Sequence, residues 1–420
     1  MDIPTPTLLE RFCRYVRVHT EAIEGAATYP SSPGQLELGR MVLGELRALG
    51  LNDAKQSEFG IVTATIPATV SRPVPTIAWI AHFDTSPETT GKGVTPVVHE
   101  RYAGGDIILS GDSTKIIRVK DSPDLLHCVG KTVVTTDGTT LLGADNKAGV
   151  AVIVETAAFL LKHPEISHGD IRICFTCDEE IGHGVDHLDL TEVGAVVGYT
   201  LDGMAQGEIE GETFSADKAV VTVRGVNIHP SIAKGRMVNA VRLAGLFLER
   251  LPRTSLTPET TEGREGFIHP YRIEGGVAET ALHFLLRDFA TAKLADEADL
   301  LRKVAKELAA EYLGASIEVK VDAQYRNMAD GLTHEPRAIA YALEATRRAG
   351  LEPKLGIIRG GTDGSQLTAK GLPTPNLSTG EHNPHSPLEW TCLEEMQSAV
   401  RVLVELAQVW AEEQPPAGNR

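Results

Sequence analysis

Three short apolar runs in this 420-residue chain each lead directly into a residue that can bind a metal or move a proton. Residues 76–82, Thr-Ile-Ala-Trp-Ile-Ala-His, read as a buried strand that delivers His82 and, two residues on, Asp84. Residues 171–177, Ile-Arg-Ile-Cys-Phe-Thr-Cys, form a second strand and carry Asp178-Glu179-Glu180 into a glycine-containing loop. Residues 195–201, Ala-Val-Val-Gly-Tyr-Thr-Leu, form a third and end at Asp202-Gly203. In open α/β sheets, sites form beyond the carboxyl ends of the strands. The repeated strand-to-acid pattern therefore predicts an α/β fold with a mostly parallel sheet and a functional site along one end of it.

Two further candidates come from loops. Asp145 lies in Leu142-Gly143-Ala144-Asp145-Asn146-Lys147-Ala148-Gly149, ahead of an apolar helical stretch from Val150 to Leu161, and His385 lies in Asn383-Pro384-His385-Ser386-Pro387-Leu388-Glu389. Taken alone, Asp145 reads as a helix N-cap, the acidic triplet as a solvated turn and His385 as a structural or exposed loop histidine. Together, His82, Asp145, Glu180, Asp202 and His385 form a mixed nitrogen and oxygen ligand set that suits a pair of zinc ions, with the two oxygens of Asp145 able to bridge them. Glu179 is then spare, and separate roles relieve the repulsion between adjacent carboxylates: Glu180 ligates while Glu179 takes a proton from the attacking water. A spacing of two puts Asp84 on the same side of the chain as His82, where it can accept the other ring N–H of the histidine. This chemistry points to metal-assisted hydrolysis.

The segments beginning at His82, Gly143, Phe175, His229, Thr261 and Ile358 resemble, in order, the blocks of the peptidase T family, the tripeptide aminopeptidases of the co-catalytic dizinc aminopeptidase and carboxypeptidase superfamily. The resemblance runs over nearly the full length. It implies one zinc on His82, Asp145 and Asp202 and another on Asp145, Glu180 and His385, with Glu179 as proton acceptor and Asp84 as an acidic partner; cobalt or manganese would substitute. It also implies that His229, in Asn227-Ile228-His229-Pro230, reaches the reacting carbonyl from a lid domain, either when the lid closes or when a neighbouring subunit of a homodimer presents it. Two positions depart from the family's habit. Asn146 stands where an aspartate is common and Cys177 where a proline is common, and neither is an expected ligand.

Composition sets outer bounds. The formal charge of −17 argues against nucleic acid or an anionic membrane as partner. No apolar run approaches the roughly 18 residues of a membrane span, and residues 1–6 lack the regions of a signal peptide, which together predict a cytoplasmic protein. Five scattered cysteines, Cys13, Cys128, Cys174, Cys177 and Cys392, suit free thiols. Cys174 and Cys177 fall within a strand, where positions three apart face opposite sides, so their C-x-x-C spacing does not read as a redox or zinc motif. His183 and His187 are expected to flank the site. The tail from Gln414 to Arg420 reads as disordered.

Between residues 218 and 325 the pattern changes. A strand over 218–226, a helix over 237–251, paired strands at 267–274 and 280–289, a helix over 292–313 and a strand at 316–324 spell β-α-β-β-α-β, a ferredoxin-like arrangement. The expected organisation is a catalytic domain over 1–213 and 326–420, interrupted by a lid domain over 214–325. Arg287, at the end of a lid strand, and Arg359, in the glycine-rich turn Arg359-Gly360-Gly361-Thr362-Asp363-Gly364, are candidates for a peptide carboxylate because guanidinium matches that group bidentately; a structural ion pair is the alternative for each. The turn lacks the spacing and lysine of a P-loop. The ligand chemistry predicts a dizinc hydrolase, and the resemblance implies an aminopeptidase acting on short peptides, most readily tripeptides. Its rivals are a carboxypeptidase or deacylase of N-blocked amino acids using the same site, and a non-catalytic metal or peptide-binding protein, which would have no need of Glu179.

Overall fold

A computed structural model describes residues 3–412, so the tail expectation lies outside the described residues. The described chain divides into two compact units: residues 3–211, 330–356 and 362–412 form the larger, residues 212–329 and 357–361 the smaller.

The larger unit is organised by an eight-stranded sheet. Its strands lie in the order Lys55–Gln56, Val62–Ile66, Ile171–Thr176, Ile77–His82, Val197–Gly203, Asn376–Ser378, Glu208–Thr213, Lys354–Ile358. The four central strands, from Ile171–Thr176 to Asn376–Ser378, run parallel. Val62–Ile66 and Glu208–Thr213 flank them antiparallel, so the sheet is mixed, with its parallel part at the centre. Burial explains the composition of the middle: all six residues of Ile77–His82 are buried, as in a strand covered on both faces, which leaves its end as the place for polar groups. The helix Ala144–Lys162 packs on Ile77–His82 and Val197–Gly203, and is itself covered by the helices Thr5–Val16 and Leu393–Glu412. A four-stranded sheet in the order Glu381–His382, Trp390–Cys392, Val133–Thr135, Val97–His99 completes this unit, and the hairpin between its first two strands carries His385.

In the smaller unit four antiparallel strands lie in the order Phe267–Gly275, Glu279–Asp288, Ser215–Arg224, Ser316–Tyr325. With the helices Ala240–Glu249 and Lys293–Glu311 this is the expected ferredoxin-like arrangement. Alternate residues of Glu279–Asp288 are buried, and Leu282, Phe284 and Leu286 join Val221, Phe247 and Leu301 in one core. The unit begins and ends a few residues outside 214–325 and also takes in 357–361, which holds Arg359. That short return is tied in by long-range backbone contact, the N–H of Phe214 donating to the carbonyl of Ile358 at 3.1 Å, and local sequence carries no sign of it. All five cysteines are free thiols.

Candidate metal centre

The site is built on the ends of the central strands. Fully buried, His82 places its Nδ1 3.1 Å from the carbonyl of Asp84 and 3.3 Å from the Asp84 carboxylate. That fixes the proton on Nδ1 and turns the lone pair of Nε2 outward. Nε2 lies 3.2 Å from Asp145 Oδ1 and 3.5 Å from Asp202 Oδ1. On the other side of Asp145, its Oδ2 lies 3.2 Å from His385 Nε2, which is in turn 2.9 Å from Glu180 Oε2. Asp145 thus turns one oxygen toward each of two ligand groups.

These residues fit the cations that the ligand chemistry implies. His82 Nε2, Asp145 Oδ1, Glu180 Oε1 and Asp202 Oδ1 are buried without a hydrogen-bond partner, a costly arrangement unless something else satisfies them. Ligands about 2.0–2.1 Å from a tetrahedral zinc stand roughly 3.3 Å apart, and the separations above cluster around that value. The electrostatics agree. Burial, and then the charge of Asp145, push Glu180 up to about 8 and Asp202 up to about 6. Asp145 itself, although burial pushes it upward, is held below the usual carboxylate range by His385 and His82 on either side of it. A cluster of acids this dense asks for positive charge beyond what two histidines supply.

The loop before Asp145 is held from a distance. Glu389 accepts the N–H groups of Leu142 and Gly143 on one oxygen, at 2.7 and 2.8 Å, and that of Asp145 on the other at 3.1 Å. The N-cap reading of Asp145 fails, because its carboxylate accepts no first-turn N–H and turns to His82 and His385 instead.

The acidic triplet resolves into three roles. Asp178, at a φ of 63°, is clamped by Ser31 and Gln35: its carboxylate accepts the Ser31 N–H and the Gln35 amide, both at 2.6 Å, while its own N–H donates to Gln35 Oε1 at 3.0 Å. The Asp84 carboxylate accepts the N–H of Glu179 at 3.1 Å and of Glu180 at 3.0 Å, so it anchors this turn as well as facing His82. Glu180 turns to His385, whereas Glu179 Oε1 accepts the backbone N–H of Asp363 at 3.0 Å and its Oε2 stands 4.0 Å from His82 Nε2. Burial pushes Glu179 well above the ordinary glutamate range.

One carboxylate near the ligands was not anticipated. Glu381, buried, brings an oxygen within 4.8 Å of those of Asp145 and Asp202, and its Oε1 accepts the hydroxyl of Thr379 at 2.7 Å. His183 and His187 are engaged elsewhere, the first with Asp186 at 2.7 Å and the second stacked on Phe59.

His229, Arg287 and Arg359 belong to the smaller unit and not to this cluster. The exposed ring of His229 meets the Ser231 hydroxyl through Nδ1 at 2.7 Å. Arg287 donates to the Leu286 carbonyl and to Gln324 Oε1 at 3.2 and 3.1 Å. Arg359 is built into its unit: it donates to the carbonyls of Gly263, Glu265 and Thr261 and to the Thr261 hydroxyl, and it lies over the rings of Phe214 and Phe267.

A fold with a strand-end site of histidine and carboxylate ligands agrees with the match of residues 136–409 to the model of peptidase family M20/M25/M40, and the chain belongs to that family. A peptidase T of Listeria monocytogenes is 42% identical over 407 residues, spanning 97% of this chain and 99% of the relative, so the chain also belongs among the peptidase T proteins, as its motifs implied. Two solved structures are similar throughout: aminopeptidase PepT from Bacillus cereus, at a TM-score of 0.76 and 24% identity, and a tripeptidase from Staphylococcus aureus, at 0.76 and 23%, each covering 98% of this chain and 100% of the other.

Proposed function

We propose that the chain is a dizinc aminopeptidase that releases the N-terminal residue from short peptides, tripeptides above all, in the cytoplasm. The observation that carries the reading is Asp145, with one oxygen toward His82 and Asp202 and the other toward His385 and Glu180, while Glu179 stands beside His82 and Asp202 with its other oxygen held by the Asp363 N–H. His82, Asp145 and Asp202 would hold one ion and Asp145, Glu180 and His385 the other. Bound there, the pair would polarise the scissile carbonyl and make the attacking water more acidic.

The remaining steps fall to the protein. Glu179, oriented by the Asp363 N–H, takes the proton from water and passes it to the leaving amine. Asp84 keeps the His82 proton on Nδ1 and fixes the turn from which Glu179 projects. From the smaller unit, His229 donates to the developing oxyanion, presented by closure over the peptide or by the neighbouring subunit of a homodimer. Arg287 and Arg359 are the candidates for the peptide's carboxylate, Arg287 the better one because the carbonyls around Arg359 already take up its donors.

The relatives named peptidase T, aminopeptidase and tripeptidase support the substrate class. Turnover of di-, tri- and tetrapeptides with free and acetylated N-termini tests it. Free-amine tripeptides should be cleaved fastest, and equal cleavage of acetylated ones would point instead to a deacylase or carboxypeptidase.

A further inference from the structure

We infer that Asp363 is a positioning residue for Glu179, fixing through its own backbone N–H the direction in which that carboxylate points. The inference rests on the reading of Glu179 as the base. Asp363 opens the helix Asp363–Ala369, and the reciprocal bonds between Thr362 and Ser365 at its start occupy two first-turn donors. The N–H of Asp363 remains, and it is the one that meets Glu179 Oε1.

What holds that N–H in place is the buried Asp363 side chain. Its Oδ2 accepts the hydroxyl of Thr176 at 2.6 Å, and Thr176 ends the strand that leads into Glu179. Its Oδ1 makes no hydrogen bond but fills the space over Gly184, where a Cβ would come within 2.0 Å of it. Residue 184 needs to be glycine for this reason. Asp363 is therefore wedged between the chain just before Glu179 and the loop just after it. Gln366, one turn along the same helix, donates to the carbonyl of Gly182 at 3.2 Å and secures the same loop. Remove the wedge and the base keeps its place in the chain but loses the contact that aims it. A displacement of about 1 Å in a reacting group can cost on the order of 100-fold in rate.

The experiment is a double-mutant cycle on the metal-loaded full chain with trialanine as substrate, measuring kcat, KM and bound metal. Asp363→Ala should lower kcat by roughly 10- to 100-fold with KM and metal content unchanged. In a Glu179→Ala background the same change should have no further effect. Asp363→Asn, which keeps the shape and the bond from Thr176, should stay within about threefold of the parent. Should Asp363→Ala fail to fold, Thr176→Val removes the same hydrogen bond in a near-isosteric way and should show the same loss of kcat, vanishing in the Glu179→Ala background. The inference is overturned if the Asp363 and Thr176 variants keep kcat, lose metal, or act undiminished when Glu179 is absent, or if Asn behaves like Ala. Unchanged kcat in Glu179→Ala alone would sink the underlying reading of the base instead.

Discussion

The two main sheets of this chain use similar apolar strands to opposite ends. In the larger unit, Ile77–His82 is buried along its whole length, so the only place for a polar side chain is where the strand stops. In the smaller unit, Glu279–Asp288 alternates buried and partly exposed residues, and polar groups such as His283 and Arg287 are spread along one face. Covering both faces of a sheet concentrates its chemistry at the strand ends, while leaving one face open disperses it. The proposed metal ligands accumulate in the first kind of sheet and not in the second.

The sharpest way to break this contrast is to remove metal. Chelation should abolish hydrolysis and zinc, cobalt or manganese should restore it; full activity in rigorously metal-free protein would contradict the site. Next in size is the division between the adjacent glutamates. Glu179→Ala should reduce kcat by about 10²- to 10⁴-fold with both metals retained, whereas Glu180→Ala should reduce metal content, as atomic emission would report. Equal metal loss in both would undo the separation of roles. The role proposed for His229 carries the contrast into the smaller unit, and His229→Ala should slow turnover by about 10²- to 10³-fold while leaving metal binding and fold intact. Near-normal kcat would return that residue to a surface turn.

The smallest effect concerns stability in the smaller unit. Glu297 is buried there with neither carboxylate oxygen hydrogen-bonded, and burial, then the charge of Asp288, push it up to about 8 from an ordinary 4.5. Because the folded chain holds this proton more tightly than the unfolded chain, the stability it confers is present below about 4.5 and is lost as pH rises through about 8. Thermal melts of Glu297→Gln should match the parent near pH 4.5 and exceed it near pH 9. A parallel pH dependence in both proteins would show that Glu297 ionises freely in the fold.

The strand ends were legible in the sequence because apolar runs lead into His82, the acidic triplet and Asp202, and the ferredoxin-like order was legible because alternation and helical spacing are local signals. Contacts made across long stretches of chain were not. Nothing near Glu389 announces that it holds the loop at Gly143, and nothing near Ser31 and Gln35 announces that they clamp Asp178. Glu381 and Asp363 are hidden for the same reason, since each acquires its role only when residues far apart in sequence are brought together. The antiparallel flanks of the large sheet escaped notice because period-two patterning reports burial and not strand direction. Asp84 was expected to serve His82, and it does face that ring, but its carboxylate also holds two N–H groups from a turn almost a hundred residues away.

The strand Asn376–Ser378 lies between Val197–Gly203 and Glu208–Thr213, although it is synthesised long after both. At roughly 5–20 residues per second, the interval between residues 203 and 376 corresponds to about nine to thirty-five seconds of translation. Through that time two strands are out of the ribosome with their facing edges unpaired, and open edges of this kind invite pairing with other chains. A message cut short before Asn376 would therefore yield an aggregating fragment rather than a smaller enzyme, and the growing chain is most exposed to chaperones and proteases while the last strand of its central sheet is still being made.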